Sequence, residues 1–133
     1  MKSKRHIDLS RTEENILMAL FGRPLYGLDI IRAVKEGSKG RCNLGFGSLY
    51  PTLHKLEKKG LVKSQWGDEK LEERGGARRR YYEVTALGQK ALREIQDVRN
   101  NIAAWKPANA LLQMMFGVFR TLKTTGHLSW GRV

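Results

Sequence analysis

The alternation of apolar and polar residues predicts a short helix between residues 47 and 60. One apolar stripe with the i, i+4, i+7 spacing of a helix face consists of Leu49, Leu53 and Leu56. We expect this helix to begin at Gly47 or Ser48, because either residue can serve as the N-cap. It should end at Gly60, which suits a C-terminal cap. Pro51 is compatible with the helix only in the first turn, where the N–H groups have no partner inside the helix.

The opposite face of this helix carries polar and basic residues, which indicates an anionic partner. They are Ser48, Thr52, Lys55 and Lys59, with His54 and Lys58 beside them. An α-helix fits the major groove of double-stranded DNA, whose backbone is negatively charged. We therefore interpret this segment as the recognition helix of a DNA-binding protein. His54 is interpreted as an exposed helix residue rather than as a switch or a metal ligand.

Two further helices are predicted before the recognition helix. Ser10 and Glu13 have the spacing of a capping box, so a first helix should begin after Ser10 and end near Gly22. Its expected buried residues are Ile16, Leu17, Leu20 and Phe21. A second helix should run from about Tyr26 to Glu36. Its expected core residues are Leu28, Ile31 and Val34.

After Gly60 the pattern changes to that of a β-hairpin. Residues 61–66 and 79–84 are rich in β-branched and aromatic side chains, and residues 67–77 separate them as a long tip. Tyr81 and Tyr82 should face opposite sides of the hairpin, because side chains alternate along a strand. Trp66 should pair across the hairpin or cover the core. Three helices followed by a hairpin predict a winged helix-turn-helix, a mainly α fold with a small β-hairpin (α+β).

A fourth helix should begin after Thr85 and mediate dimerisation. Its apolar residues repeat at the spacings of a heptad stripe and are Ala91, Ile95, Val98, Ile102 and Trp105. The start of this stripe could instead pack on the winged domain, whereas the later positions have no evident core within one chain. We therefore expect a winged domain at residues 9–85, a dimerisation helix at 86–106, and an apolar extension of unassigned role at 107–133.

Composition narrows the class of partner. The 133-residue chain has 25 basic and 13 acidic residues, a net charge of +12, and a pI near 10.2. This excess favours a polyanionic partner, nucleic acid before membrane, although it could serve solubility alone. No apolar run reaches the ~18 residues of a membrane span and no secretory signal is recognisable, so we expect a cytoplasmic protein that does not bind membranes.

The sequence contains no pattern typical of a metal site or an active site. The single cysteine, Cys42, cannot form an internal disulfide, and its role as a redox sensor stays open. The three histidines are scattered, and neither a phosphate-binding loop nor a nucleophile with a base is recognisable. We predict no metal, no cofactor and no enzymatic activity.

The predicted DNA-binding residues come from the recognition helix, the next strand and the arginine run before the last strand. They are Ser48, Tyr50, Thr52, Lys55, Lys58, Lys59, Lys63, Arg78, Arg79 and Arg80. Ser48, Thr52 and Lys55 should face base edges, and the other lysines should hold phosphates. The guanidinium groups suit phosphates and a narrow minor groove, but strand alternation turns one of the three arginines away from DNA. Tyr50 should either donate its hydroxyl to a phosphate or pack in the core.

Four segments resemble the hallmark motifs of PadR-like transcriptional regulators. They are Tyr26-Gly-Leu-Asp-Ile-Ile31, Gly47-Ser-Leu-Tyr-Pro-Thr-Leu53, Leu56-Glu-Lys-Lys-Gly-Leu61 and Arg80-Tyr-Tyr-Glu-Val-Thr-Ala-Leu-Gly88. The resemblance covers roughly residues 9 to 105. It implies a winged-helix domain, a C-terminal dimerisation helix and, usually, repression of nearby genes. Some family members sense small molecules at the dimer interface, which leaves an inducer of this chain open.

These observations predict a sequence-specific regulator that binds double-stranded DNA as a homodimer. Two recognition helices would enter successive major grooves, with half-sites about 34 Å apart. The alternative is a winged-helix module that binds protein or RNA without recognising an operator, and the apolar segment 111–122 keeps it open. A preference for double-stranded DNA with a sequence footprint would discriminate between the two.

Overall fold

The computed structural model of this chain describes residues 6–68, 78–108 and 114–115. The elements in these ranges, in chain order, are α1 (Arg11–Ala19), β1 (Leu25–Tyr26), α2 (Gly27–Gly37), α3 (Phe46–Lys58), β2 (Val62–Trp66), β3 (Arg80–Val84) and α4 (Ala86–Ala104). Helices α1 to α3 and the strands enclose one apolar core, and β2 and β3 form the wing. The predicted winged helix-turn-helix and its α+β class are confirmed.

Helix α1 begins at the predicted capping box. The Ser10 hydroxyl accepts a hydrogen bond from the Glu13 N–H at 3.2 Å, and the Glu13 carboxylate accepts one from the Ser10 N–H at 3.1 Å. The expected core residues Ile16, Leu17 and Leu20 are fully buried. The prediction that Phe21 is buried is wrong. The helix ends at Ala19, so Phe21 no longer follows the helical phase and is 47% exposed.

Helix α2 buries only part of the predicted stripe: Val34 lies in the core as expected, but Ile30 takes the place of Leu28. Its buried residues are Gly27, Ile30 and Val34. Leu28, expected in the core, lies on the solvent side, and Ile31 only packs against the edge of the core. The physical reason is a close contact between helices, since a Cβ atom added at Gly27 would lie 2.5 Å from the Tyr50 hydroxyl oxygen. This contact turns Gly27 inward and leaves Leu28 outside.

Helix α3 begins earlier than its sequence pattern suggests. Gly45 is the N-cap and Phe46 the first helical residue, which corrects the predicted N-cap at Gly47 or Ser48. Pro51 therefore lies in the second turn rather than the first. Proline lacks the N–H that would bond to the Gly47 carbonyl, yet the helix continues past it. Burial of the apolar stripe on the core outweighs this local defect.

The C-terminal end of α3 is the predicted glycine cap. Gly60 has a left-handed backbone with φ of 75°, which glycine adopts without a Cβ penalty. The Gly60 N–H donates to the Glu57 carbonyl and the Leu61 N–H to the Leu56 carbonyl, each at 3.0 Å. These two bonds form a Schellman motif. The turn sends the chain from the recognition helix directly into β2.

The sheet has three antiparallel strands in the order β1-β3-β2. Strand β1, which sequence reasoning did not predict, pairs Leu25 with Tyr82 and Tyr26 with Tyr81. Two residues are too few to show the period-2 alternation of a strand. Tyr82 is 5% exposed and packs in the core, whereas Tyr81 is half-buried edge-to-face against Tyr26. The predicted opposite orientation of the two tyrosines is confirmed.

The wing is paired as predicted along its described part. Strands β2 and β3 run from Val62↔Val84 to Trp66↔Arg80. Trp66 is 55% exposed, so it pairs across the hairpin and does not cover the core. Residues 69–77 of the predicted tip lie outside the described residues.

The junction between the wing and α4 is held by Thr85, the predicted cap. Its hydroxyl accepts a hydrogen bond from the Gly88 N–H at 3.1 Å and donates one to the Gly60 carbonyl at 2.6 Å. Gly88 is buried where α4 meets the start of the hairpin. A Cβ atom there would collide with the Leu61 carbonyl oxygen and would lie 2.6 Å from Val84 Cγ2. Only glycine allows this approach of helix and hairpin.

The chain divides into two units, residues 1–97 and 98–133, with the division inside α4. In the first unit Ala91 is buried and Ile95 half-buried. In the second unit Ile102 is 71% exposed and Trp105 is 73% exposed. Trp105 follows the last residue of α4, so the predicted stripe runs one residue beyond the helix. No helix in the described residues is both long and apolar enough to cross a membrane.

Candidate nucleic-acid interface

Helix α3 has one buried side and a broad exposed side. The buried stripe is the predicted one, with Leu49, Leu53 and Leu56 at 0–1% exposure. At about 100° per residue, the positions diametrically opposite this stripe are Gly47, Pro51, His54 and Lys58, and all are exposed. The exposed side of α3 is bordered on each flank by a residue that contacts another element. Lys59 bonds to Glu13 of α1, and Glu57 accepts a hydrogen bond from Ser64 of β2. The exposed side between these flanks is the surface of α3 that can enter a groove.

The three residues predicted to face base edges are not equally placed. Ser48 and Lys55 are exposed, but Thr52 is half-buried on the α1 side of the helix. The Thr52 hydroxyl donates a hydrogen bond of 2.6 Å to the Ser48 carbonyl, one turn earlier. The first turn of α3 contains no acidic residue, so nothing in it opposes the positive end of the helix dipole. Ser48 and Lys55 are therefore the better-placed pair for base contacts.

Lys59 is engaged in an ion pair rather than directed at solvent alone. Its Nζ donates to Glu13 Oε2 at 2.7 Å, and the Glu13 side chain is 10% exposed. Burial raises the pKa of Glu13, but hydrogen bonds from Lys59 and from both the backbone and side chain of Ser10 outweigh it, so the pKa lies below 4.5. The carboxylate that caps α1 thus holds the end of α3 through Lys59.

Lys58 and Lys63 remain at the surface. Lys58 is exposed on the outer side of α3. Lys63 on β2 lies 3.9 Å from the Glu83 carboxylate, with 65% of its side chain exposed. Exposed pairs of this length are weak, so the Lys63 ammonium group remains available to an anion.

Arg78 and Arg79 both contact groups of the wing base. Arg78 Nη2 donates to the Gly67 carbonyl at 3.3 Å. The Arg79 guanidinium lies 4.3 Å from the centre of the Tyr26 ring, a cation–π distance. Arg78 is exposed and Arg79 is half-buried, so these contacts orient the arginines without enclosing them.

Arg80 is tied to α3. Its Nε and Nη2 donate to Ser64 Oγ at 3.0 and 2.8 Å, and Nη2 lies 3.6 Å from Glu57 Oε2. The Ser64 hydroxyl in turn donates to Glu57 Oε2 at 3.2 Å. The guanidinium also lies 5.8 Å from the ring centres of Trp66 and Tyr82. Arg80 is therefore directed along the wing toward α3, with 46% of its side chain still exposed.

Tyr50 packs against α2 and keeps part of its side chain at the surface. It is 47% exposed, yet its hydroxyl end lies against Gly27. It also lies near Tyr82, whose phenol has a raised pKa; burial is the main cause, opposed by Arg80 and reinforced by Glu57 and Tyr50. Tyr50 therefore packs between α2 and α3 while one side of its ring remains open to solvent.

Sequence reasoning missed Phe46 and Glu57. Phe46 is 54% exposed and stacks on Tyr50, with ring centres 6.1 Å apart and an angle of 12° between the planes. Its place in the helix was hidden because the predicted start lay after it, although its i, i+4 spacing to Tyr50 was a usable signal. Glu57 gave no local signal, since its partners lie on other elements.

No group of three or more histidine, cysteine or acidic residues suited to a metal ion occurs in the described residues. Cys42 is a half-buried free thiol. It lines a cavity of about 340 Å³ between α1 and α2, together with Met18 and Val34. The cavity is separate from the exposed side of α3, since none of its lining residues belongs to that helix.

Comparison with known proteins agrees with this geometry. The transcriptional regulator PadR-like family matches residues 16–94, more than half of the chain. The chain belongs to the PadR-like family. A PadR-like transcription factor from Bacteroides fragilis has a similar structure, with 29% identity, 69% of this chain and 82% of that chain covered, and a TM-score of 0.59.

Other relatives of this PadR-like regulator are at a similar distance. A transcriptional regulator from Clostridium thermocellum is 26% identical, with 66% of this chain and 81% of that chain covered and a TM-score of 0.57. An uncharacterised protein of Lysinibacillus sphaericus is 28% identical over 80 residues, which are 60% of this chain and 70% of that protein. Family and fold together make the chain a DNA-binding transcriptional regulator. The family match ends at residue 94, before the exposed part of the heptad stripe.

Proposed function

We propose that this PadR-like protein is a homodimeric repressor that recognises a specific double-stranded operator. The observation that carries the proposal is the exposed side of α3, where Ser48, Lys55 and Lys58 are exposed while the leucine stripe of the same helix is fully buried. A helix with this division can enter a major groove without exposing its core face. A protein bound there would block access of other proteins to the same DNA.

Each part of this surface has a role in the proposal. Ser48 and Lys55 contact base edges, because a hydroxyl and an ammonium group suit the acceptors in the major groove. Lys58 and Lys63 contact phosphates on either side of the groove, which orients the protein without reading sequence. Thr52 contributes its methyl group at the edge of the contact. Arg78 and Arg79 provide the DNA contacts of the wing.

The dimer is proposed to form through the end of α4 and the residue that follows it. The stripe residues there are Ile95, Val98, Ile102 and Trp105, and the last two are more than two-thirds exposed. Large apolar side chains spaced at 3 and 4 residues suit pairing with the same stripe of a second chain.

Light scattering of two charge variants tests this dimer. Ile102→Asp should give monomers and weaken DNA binding together, because an aspartate cannot be buried unpaired in an apolar seam. The matched control is Asn101→Asp, which adds the same charge at the neighbouring exposed position outside the stripe. If Ile102→Asp stays dimeric, the stripe is not the interface.

Fluorescence anisotropy tests operator recognition. The protein is titrated onto the duplex upstream of its own gene, a scrambled duplex and an RNA duplex of the native sequence, at about 150 mM salt. We expect ~10³-fold or tighter binding to the native DNA than to the scrambled DNA. Equal, salt-sensitive binding to both DNAs would refute a sequence-specific regulator, and a preference for RNA would favour the RNA-binding alternative.

A further inference from the structure

Arg80 lies on the same face of β3 as two core residues, although its own side chain is 46% exposed. Tyr82 and Val84 point into the core at 5% exposure each, and successive side chains of a strand alternate between its faces. Arg80 lies two residues before Tyr82 and so shares the core-facing side. It pairs with Trp66 at the last rung of the described ladder, where the apolar core has ended and the next element on that side is α3.

The Arg80 network satisfies the hydroxyl at its centre. Ser64 Oγ accepts from two guanidinium nitrogens and donates to Glu57 Oε2, which uses the one donor and both acceptor positions of a hydroxyl. The planar guanidinium also faces the Trp66 and Tyr82 rings. One side chain from each of α3, β2 and β3 is thereby fixed to the other two.

We propose that Arg80 is a positioning residue, which holds the wing at a fixed angle to the recognition helix through Ser64 and Glu57 and does not itself contact DNA. The inference rests on the proposed function. The turn at Gly60 fixes the near end of the hairpin to α3, and the Arg80 network joins α3 to β2 and β3 farther along the hairpin, next to the Trp66 rung. A wing that extends past this rung needs a fixed base to meet DNA when α3 does.

The Glu57→Gln variant gives opposite results for positioning and for direct contact. If Arg80 positions the wing, loss of the Glu57 charge loosens the network, and affinity for the native duplex should fall about tenfold. If Arg80 is a DNA contact held back by Glu57, the same change frees a cation and removes a negative charge, so affinity should rise. Binding within twofold of the wild type would also overturn the proposal.

A matched control separates the network from the change in charge. Glu83→Gln changes the net charge by the same amount as Glu57→Gln. Glu83 lies on β3, the strand of Arg80, and its carboxylate contacts Lys63 rather than Arg80. This variant should bind the native duplex as tightly as the wild type or more tightly. A tenfold loss in Glu83→Gln as well would show that the Glu57 result is not specific to the network, and the proposal would fall.

A double-mutant cycle of Arg80 and Glu57, measured by DNA affinity, provides the second test. Arg80→Gln should cost about tenfold in affinity in the wild-type background but less than twofold in the Glu57→Gln background, because the two residues act through one network. Equal losses in both backgrounds, together with a salt slope lowered by about one unit, would identify Arg80 as a phosphate contact. Thermal unfolding confirms that each variant is folded at the assay temperature.

The wild-type titration separates failure of this inference from failure of the proposed function. If the wild type does not prefer the native duplex to the scrambled one, the proposed function fails and the inference falls with it. If the wild type discriminates and Glu57→Gln binds as tightly or more tightly, the operator-binding function stands and only the positioning role is refuted.

Discussion

Lys58 and Lys59 are neighbours in the sequence, but the structure gives them different contacts. Lys59→Ala removes the 2.7 Å bond to Glu13 and leaves that carboxylate, 10% exposed in its side chain, with only the Ser10 groups. Lys58→Ala removes an exposed ammonium group on the outer side of α3. We therefore expect Lys59→Ala to lower stability more than Lys58→Ala does, and Lys58→Ala to weaken DNA binding more than Lys59→Ala does.

The magnitude of the Lys59 effect follows from the geometry of the pair. A hydrogen bond to a charged group contributes ~1.5–3 kcal/mol when buried, and the 39% exposure of the Lys59 side chain reduces this through solvent screening. We expect a loss of about 1–2 kcal/mol in the free energy of unfolding. For a domain of this size that corresponds to a fall in Tm of roughly 5–12 °C. Lys58→Ala should change stability by less than ~0.5 kcal/mol.

The pH dependence of unfolding tests the cause of this loss. The pKa of Glu13 is lowered in the folded protein from its ordinary value of 4.5. A lowered carboxyl pKa contributes stability above the unfolded value, and this contribution is lost as the pH falls through the folded pKa. The stability advantage of the wild type over Lys59→Ala should thus be constant near neutral pH and should shrink below about pH 4.5.

The assays are chemical unfolding from pH 7 to pH 3 and anisotropy titration on DNA at several salt concentrations. Lys58→Ala should lower affinity for native and scrambled duplexes alike and reduce the salt slope by about one unit, whereas Lys59→Ala should retain most of the slope. A Lys59→Ala protein as stable as the wild type, with a slope reduced by one unit, would refute this assignment and restore Lys59 as a phosphate contact.

Four further substitutions test the packing and the groove assignment. Gly88→Ala should destabilise the protein by about 1–3 kcal/mol in chemical unfolding, because its Cβ would collide with the Leu61 carbonyl; Gly47→Ala, a helical glycine with no atom within 4 Å of its added Cβ, should be neutral or stabilising by up to ~1 kcal/mol. Gly60→Ala should cost ~1–2 kcal/mol, measured the same way, and an unchanged midpoint would contradict the left-handed cap. Thr52→Ala should relax discrimination at one or two base pairs in a binding-site selection, and unchanged selectivity would place Thr52 outside the contact.

Local rules were sufficient where a feature depends on residues close in sequence. The Ser10–Glu13 capping box, the Gly60 stop and the Thr85 cap each involve backbone groups within a few positions. The leucine stripe of α3 also formed as predicted, because the 3.6-residue period alone decides which residues share a face. These features placed the recognition helix and the hairpin correctly.

Predictions failed where a distant element decided the outcome. Leu28 gave way to Ile30 in the core because Tyr50 of α3 packs on Gly27. Strand β1 exists because Leu25 and Tyr26 pair with β3, more than 50 positions later in the chain. No periodicity within two residues can signal such a pairing.

The sequence alone determined the winged helix-turn-helix, the caps at Ser10, Gly60 and Thr85, and the cationic character of the exposed α3 surface. Only the tertiary structure decided which of these cations have a carboxylate partner on another element. Lys59 and Arg80 appeared equivalent to their neighbours as sequence, but Glu13 and Glu57 from other elements hold them in the fold. The reason is that charge is a property of a residue, whereas the availability of a charge depends on which groups the fold brings within hydrogen-bond distance.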